Sequence, residues 1–107
     1  MSDSQAVTPA QKAIGDFAPK LVSLSDDVLF GDVGERMELP KRDGSLIRVA
    51  ALITNGSTEQ LRGHLARAKD NGLSEAELKE VIIHLAFYAG WPRAMSAVTV
   101  AKEISGV

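Results

Sequence analysis

The chain has 107 residues, of which 45% are hydrophobic and 24% charged, and its formal net charge is −2. This size and composition are typical of one globular domain, and the mixed charges leave no basic stripe for a nucleic-acid backbone. The sequence has no cysteine, which excludes thiol and disulfide chemistry. No apolar run approaches the roughly 20 residues of a membrane span, and no signal-peptide pattern is visible, so we expect a cytoplasmic protein.

The first third of the chain predicts a tail and two short helices. Residues 1–7 are small and polar without periodicity, so we expect a flexible tail ahead of a single domain over residues 8–107. Thr8-Pro9 has the form of an N-cap followed by proline, which predicts a helix that continues through Phe17. A second short helix is indicated by apolar residues at helical spacing: Leu21, Leu24, Val28 and Leu29.

Longer helices are predicted in the remainder. Leu46 to Ile53 is an apolar stretch that favours a buried helix over a strand, and Asn55-Gly56 ends it. Two capping-box patterns, at Ser57–Gln60 and Ser74–Glu77, begin the next two helices. The last helix has apolar residues at helical spacing: Met95, Val98, Ala101 and Ile104. No hairpin pattern is present, so we predict an all-α bundle of about six helices.

One predicted helix carries three polar groups in a column. Glu80, His84 and Tyr88 are four residues apart in turn, so a carboxylate can orient the imidazole while the phenol donates to a substrate oxygen. A polar seam that satisfies its own hydrogen bonds is the alternative. Only Glu80 and His84 share a turn, and no third ligand has a firm spacing, so we expect no metal site.

Other candidate residues lie outside this column. His64 borders the apolar face of its helix and is either an acid or base, or a structural histidine. Arg42 and Arg48 flank the apolar stretch and are either carboxylate-binding forks or solvated charges. An aromatic corner is predicted as a pocket wall, a subunit contact or core packing, and it contains Phe87, Tyr88 and Trp91.

Four segments together resemble the carboxymuconolactone decarboxylase family. The resemblance covers about Leu29 to Ile104, and its segments are Arg42–Ile53, Gln60–Ala68, Asn71–Glu80 and His84–Pro92. It implies an all-helical, alkylhydroperoxidase D-like fold that forms homo-oligomers, commonly trimers or hexamers, with helices shared across subunit contacts. In an oligomer, apolar stripes that find no partner within one small bundle would pack against a neighbouring subunit.

The family resemblance implies one of two chemistries. The peroxidase branch carries a C-x-x-C pair ahead of a histidine, and when His64 is matched to that histidine the thiol positions are Ser57 and Gln60. A hydroxyl and an amide cannot form a disulfide, so peroxidase activity is not expected. The decarboxylase branch, which belongs to aromatic catabolism, removes carbon dioxide from a lactone acid without a cofactor and yields an enol-lactone.

The sequence hypothesis is therefore a cofactor-free carboxy-lyase acting on a small carboxylated lactone. Loss of carbon dioxide leaves negative charge that a donor must stabilise and an acid must protonate. We assign His64 and His84 as the acid–base and donor pair, Glu80 as the group that orients His84, Tyr88 as a further donor, Arg42 as the carboxylate clamp and Trp91 as a substrate contact.

Two glycines depart from the family pattern. Members usually have a tryptophan at the position of Gly34 and a longer basic side chain at that of Gly44, so the pocket or the assembly is expected to differ. The alternatives are an enzyme of the same fold with another small acid or carbonyl substrate, and a non-catalytic oligomeric protein that binds a ligand.

Overall fold

The computed structural model describes residues 7–105, and the chain divides into two compact units whose boundary in the sequence lies between Glu38 and Leu39. All elements in this range are helical, as predicted: α1 (Pro9–Ile14), α2 (Pro19–Ser23), a π-helix (Leu24–Phe30), a 3₁₀ turn (Val33–Glu35), α3 (Lys41–Asn55), α4 (Thr58–Asp70), α5 (Glu75–Tyr88) and α6 (Trp91–Ser105). The predicted tail lies outside the described residues except for Val7. The single-domain assignment stays a prediction. No helix in the described range is long and apolar enough to span a bilayer.

The N-terminal unit has short helices and little buried surface. Thr8 caps α1 as predicted, since its hydroxyl accepts from the Gln11 backbone at 3.1 Å and the Gln11 side chain accepts from the Thr8 backbone. The prediction that this helix continues through Phe17 is wrong, because α1 ends at Ile14 and Phe17 is 91% exposed. Among residues 7–38, only Val22 is buried. This unit has almost no core of its own.

The C-terminal unit contains the hydrophobic core. Helices α3, α4, α5 and α6 pack around one cluster of buried side chains: Val49, Ile53, Leu61, Leu65, Ala68, Leu73, Leu78, Ile82, Ala94, Ala97 and Val100. Aliphatic side chains at helical spacing supply the cluster, so the hydrophobic effect fixes the mutual arrangement of these four helices.

The end of α3 is fixed by its cap and by α6. Gly56 has φ +75°, the left-handed conformation of the predicted cap, and Arg93 of α6 donates from Nη1 to the Asn55 carbonyl at 2.8 Å. The capping box predicted at Ser57 is wrong, because Ser57 precedes α4 without a side-chain capping bond. Its backbone N–H instead bonds the Leu52 carbonyl at 2.9 Å, which completes the α3 cap.

Helix α5 begins as predicted, whereas the apolar stripe of α6 differs. The Ser74 hydroxyl accepts from the Glu77 backbone at 3.0 Å, and the Glu77 carboxylate accepts from the Ser74 backbone at 3.0 Å. In α6 the buried positions are Ala94, Ala97 and Val100. The predicted stripe is displaced by one residue, and its first member, Met95, is 55% exposed. Small alanines allow α6 to pack closely, so the larger side chains lie at the edge of the interface.

Candidate active site

The polar column of α5 forms one hydrogen-bonded pair on an exposed face. His84 Nε2 lies 3.2 Å from the Glu80 carboxylate, and the two side chains are 66% and 63% exposed. Tyr88, one turn further along, is 88% exposed. The structure therefore brings Glu80 and His84 together, as their spacing indicates. An exposed pair of this kind contributes at most about 1 kcal/mol to stability, so its geometry is weakly held.

A groove of about 360 Å³ lies between α3 and α5 and includes the Glu80–His84 pair on its rim. Its apolar lining is Leu46, Ala50, Leu73, Val81 and Leu85, and its charged or titratable lining is Arg42, Glu77, Glu80 and His84. Three of the six predicted site residues therefore share one cavity. With one guanidinium against two carboxylates, the rim carries a net charge of −1 when the imidazole is neutral.

Arg42, the predicted carboxylate clamp, is already engaged. It forms an ion pair with Glu77 of α5, and its Nη1 lies 3.8 Å from Asp43. The backbone N–H of Ser74 lowers the pKa of the Glu77 carboxyl, and the guanidinium of Arg42 lowers it further, so Glu77 is anionic at neutral pH. A substrate carboxylate would have to compete with Glu77 for the guanidinium.

His64 lies in a different environment on α4. Its side chain is half-buried, and burial lowers the pKa of the His64 imidazole below its ordinary value of 6.5. The guanidiniums of Arg67 and then Arg48 lower that pKa further. The neutral imidazole of His64 is therefore its main form at pH 7, and both guanidiniums oppose its protonation. We call Arg48, His64 and Arg67 the His64 cluster.

The His64 cluster and the groove lie on opposite sides of α3. Arg42, Leu46 and Ala50 are spaced four residues apart and line the groove. Arg48 follows Leu46 by two residues, which rotates its side chain about 200° around the helix axis. His64 is accordingly not among the residues that line the groove of His84. Within one chain, the two predicted catalytic histidines face different surfaces.

Gly44 leaves room for the Arg48 guanidinium. A Cβ built on Gly44 would lie 3.5 Å from Nη2 of Arg48, so the guanidinium folds over this glycine at ordinary contact distance. A longer basic side chain at position 44 would occupy the same space. The glycine that departs from the family pattern is thus adjacent to a cation supplied from one turn along the same helix.

Trp91 and its neighbours form an exposed aromatic corner between α5 and α6. The rings of Phe87 and Trp91 meet edge to face with centroids 5.7 Å apart. Phe87, Trp91 and Tyr88 are all more than half exposed, so the core-packing interpretation of this corner is wrong. The pocket-wall and subunit-contact interpretations remain predictions. Neither Tyr88 nor Trp91 lines the groove that contains His84.

Sequence reasoning did not single out Arg67. It follows His64 by three residues on α4, and this spacing places the two side chains side by side on one helix face. The signal was present in the sequence but was hidden among ordinary helix charges. The contribution of Arg48 depends on the packing of α3 against α4, so only the tertiary structure shows it.

Comparison with known proteins identifies the family. The model of the carboxymuconolactone decarboxylase family matches residues 19–103. The chain is 34% identical over 91 residues to a 4-carboxymuconolactone decarboxylase of Acinetobacter baylyi, covering 85% of this chain and 68% of that protein. It is 30% identical over 74 residues to the nitrosuccinic acid decarboxylase npaB of Metarhizium robertsii, covering 69% of this chain and 52% of that protein. The chain therefore belongs to the carboxymuconolactone decarboxylase family.

Proposed function

We propose that the protein is a cofactor-free decarboxylase of a small carboxylated lactone, and that the substrate binds at the His64 cluster. One observation carries the proposal: a half-buried, neutral imidazole lies in the field of two guanidiniums. Perturbed titratable groups flanked by specific charges are typical of functional sites. The names of the two relatives, both decarboxylases, support the same class of reaction.

The chemistry of the relatives' substrates indicates what such a site must do. A carboxymuconolactone carries a carboxylate on an unsaturated lactone, and nitrosuccinic acid is a nitro-substituted dicarboxylic acid. In both compounds, the electron pair left by departing carbon dioxide can pass into an electron-withdrawing group. The substrate itself is therefore the electron sink, and the protein has to bind a carboxylate and stabilise a delocalised anion.

In the proposed reaction, the guanidiniums of Arg48 and Arg67 bind the substrate carboxylate. The bond between the carboxylate carbon and the ring breaks, carbon dioxide leaves, and the electron pair moves toward the lactone carbonyl oxygen. The neutral imidazole of His64 donates its N–H to that oxygen. A water molecule then protonates the carbanion carbon, and the resulting hydroxide takes a proton from solvent. The net change is consumption of one proton and release of one carbon dioxide.

Electrostatics favours the His64 cluster over the groove for an anionic substrate. Two guanidiniums act on His64, whereas the groove presents two carboxylates with one guanidinium. Exposed charges of this kind contribute about 1 kcal/mol or less each, so the sign of the local charge favours one position for a carboxylate over the other. The groove would repel the substrate that the cluster attracts.

The groove is the second candidate site because it has a cavity of suitable size. Its volume of about 360 Å³ and its apolar floor fit a small ring compound. There His84 would protonate the carbanion, Glu80 would orient His84, and Arg42 would bind the carboxylate after release of Glu77. Because one relative is named a nitrosuccinic acid decarboxylase, another small acid is the alternative substrate for either site.

The proposal includes self-association. Phe87, Tyr88 and Trp91 together expose an aromatic patch that burial in a subunit contact would remove from water. Tyr88 and Trp91, which the sequence assigned to the substrate site, do not line the groove of His84, so we place them at a site that a neighbouring subunit completes. A homo-oligomer, trimeric or hexameric, would combine these assignments.

The test is an ultraviolet assay of decarboxylation with purified protein, 4-carboxymuconolactone and nitrosuccinate, with the oligomer size measured in parallel by light scattering. We expect saturable release of carbon dioxide from the lactone and an assembly larger than one chain. Turnover of nitrosuccinate alone would replace the lactone with an open-chain acid. If neither acid reacts but both protect the protein against thermal unfolding, the chain is a ligand-binding protein and the catalytic proposal is wrong.

A further inference from the structure

A second groove of about 340 Å³ lies on the C-terminal unit between α4, α5 and α6. Its walls are aliphatic and include Leu65, Leu78, Ile82 and Val98, with Ile83 more than half exposed. It shares no lining residue with the groove of His84 and includes no member of the His64 cluster. Neither candidate reaction site uses it.

The charged residues of this groove collect at one end. Lys69 lies in the last turn of α4 and Lys102 in the last turn of α6, while Glu75 and Lys79 lie in the first two turns of α5. Helices α5 and α6 are joined by a two-residue connection and pack against each other, so α6 ends beside the start of α5. The opposite end, near Ile83 and Val98, is aliphatic. The groove therefore has a polar end and an apolar end.

The polar end carries positive charge. Lys79 is neutralised locally by Glu75, whose carboxylate lies 3.2 Å from Nζ. Among residues 7–105, no ion pair involves Lys69 or Lys102. Three lysines against one glutamate give this rim a net charge of +2, although the whole chain has −2.

We propose that this groove binds a free medium-chain carboxylate, with the hydrocarbon chain along the aliphatic walls and the carboxylate at Lys69 and Lys102. Burial of the hydrocarbon chain against the aliphatic walls supplies favourable free energy of binding, and the two ammonium groups select an anionic head group over a neutral or cationic one. The volume lies at the lower end of the range of small-molecule sites, about 300–1,000 Å³, which selects a single chain rather than a two-chain lipid.

The test is calorimetric titration of the whole chain with decanoate, decanol, decyltrimethylammonium and acetate, each below its micelle concentration. We expect saturable binding of decanoate, with decanol and acetate at least about tenfold weaker and the cation weaker still. Equal affinity for decanoate and decanol, or binding of decyltrimethylammonium as strong as that of decanoate, would overturn the charge selection and with it the proposal.

Matched variants locate the site. The exposed pair K69Q/K102Q is expected to weaken decanoate binding about tenfold, whereas the control K12Q/K20Q, with the same charge change in the N-terminal unit, leaves it unchanged. Ile83→Asn, at an exposed wall position, should weaken decanoate and decanol alike. Equal effects of the two lysine pairs would contradict the assignment. Loss of decanoate binding in proportion to self-association would also contradict it, since a second copy would then cover the groove. None of these measurements depends on decarboxylase activity, so the decanoate proposal is tested separately from the proposed function.

Discussion

Each face of α3 carries an arginine of that helix and a histidine of a neighbouring helix, but the two environments differ. On the α5 side, Arg42 is paired with Glu77, and the imidazole of His84 contacts the Glu80 carboxylate. On the α4 side, two guanidiniums act on His64 and oppose its protonation. The same residue types thus lie beside carboxylates on one face and near cations on the other. In the proposed function, this difference, rather than the presence of a histidine, distinguishes the substrate site from the groove.

The largest expected effect separates the two histidines. His64→Ala should lower kcat by about 10²–10³-fold, the usual cost of removing one oxyanion donor, while His84→Ala stays within a few-fold. His64→Gln retains a neutral N–H donor and should recover part of the loss. Steady-state decarboxylation kinetics measures all three variants. The reverse order, with His84→Ala the more damaging change, would move the reaction to the groove.

The arginines provide the next contrast. Replacing Arg48 or Arg67 by Ala removes a hydrogen-bonded charge worth about 1.5–3 kcal/mol, so kcat/KM should fall by about 10–100-fold. Arg42→Ala is the matched control, on the same helix as Arg48, and it should change kcat/KM by less than about threefold because Glu77 already compensates its charge. Circular dichroism confirms that each variant is folded. A loss confined to Arg42→Ala would show that the clamp predicted from the sequence is the real one.

The smallest effects are the pH dependences of stability. The pKa of His64 is 6.5 in the unfolded chain and lower in the folded protein. Between the unfolded and the folded pKa the unfolded chain binds more protons, so the free energy of unfolding decreases as the pH falls below 6.5. The lowered pKa of Glu77 acts in the same direction in a separate window, because its stabilisation is lost as the pH falls from 4.5 through its folded value.

Urea denaturation across these two windows tests the assignment. His64→Gln should flatten the upper window alone, and Glu77→Gln the lower one alone. Catalysis gives a second test of the same group. Protonated His64 keeps its N–H donor and adds a positive charge near the oxyanion, so kcat/KM should not decrease as the pH falls below 6.5. If His64→Gln retained the full acid decrease in stability below pH 6.5, a different group would be titrating there.

Much of the fold could be predicted from local sequence. The Ser74 capping box, the left-handed Gly56 and the four-residue spacing of Glu80 and His84 depend only on neighbouring residues, and each is present in the structure. Where local patterns were ambiguous, predictions failed. The residue types at Ser57–Gln60 match a capping box, but the Ser57 side chain makes no capping hydrogen bond, because Ser57 also belongs to the cap of the preceding helix.

The stripe of α6 shows why packing could not be predicted in full. The periodicity of larger apolar residues favoured Met95, yet the core is filled by Ala94 and Ala97. Close approach of α6 to its neighbours requires small side chains at the contact, and a single sequence does not show how near the neighbours are. Val98 and Ala101, two members of the predicted stripe, instead line the groove that contains Lys69 and Lys102.

The sequence by itself determined the all-helical fold, the absence of cysteine and the family, because helix periodicity, residue inventory and motif spacing can be read along the chain. Only the tertiary structure decided that Arg48 acts on His64. The pairs His64–Arg67 and Glu80–His84 are each one turn apart on a single helix, so their proximity follows from local spacing. The contribution of Arg48 depends on how α3 packs against α4, and this packing cannot be read from the sequence alone.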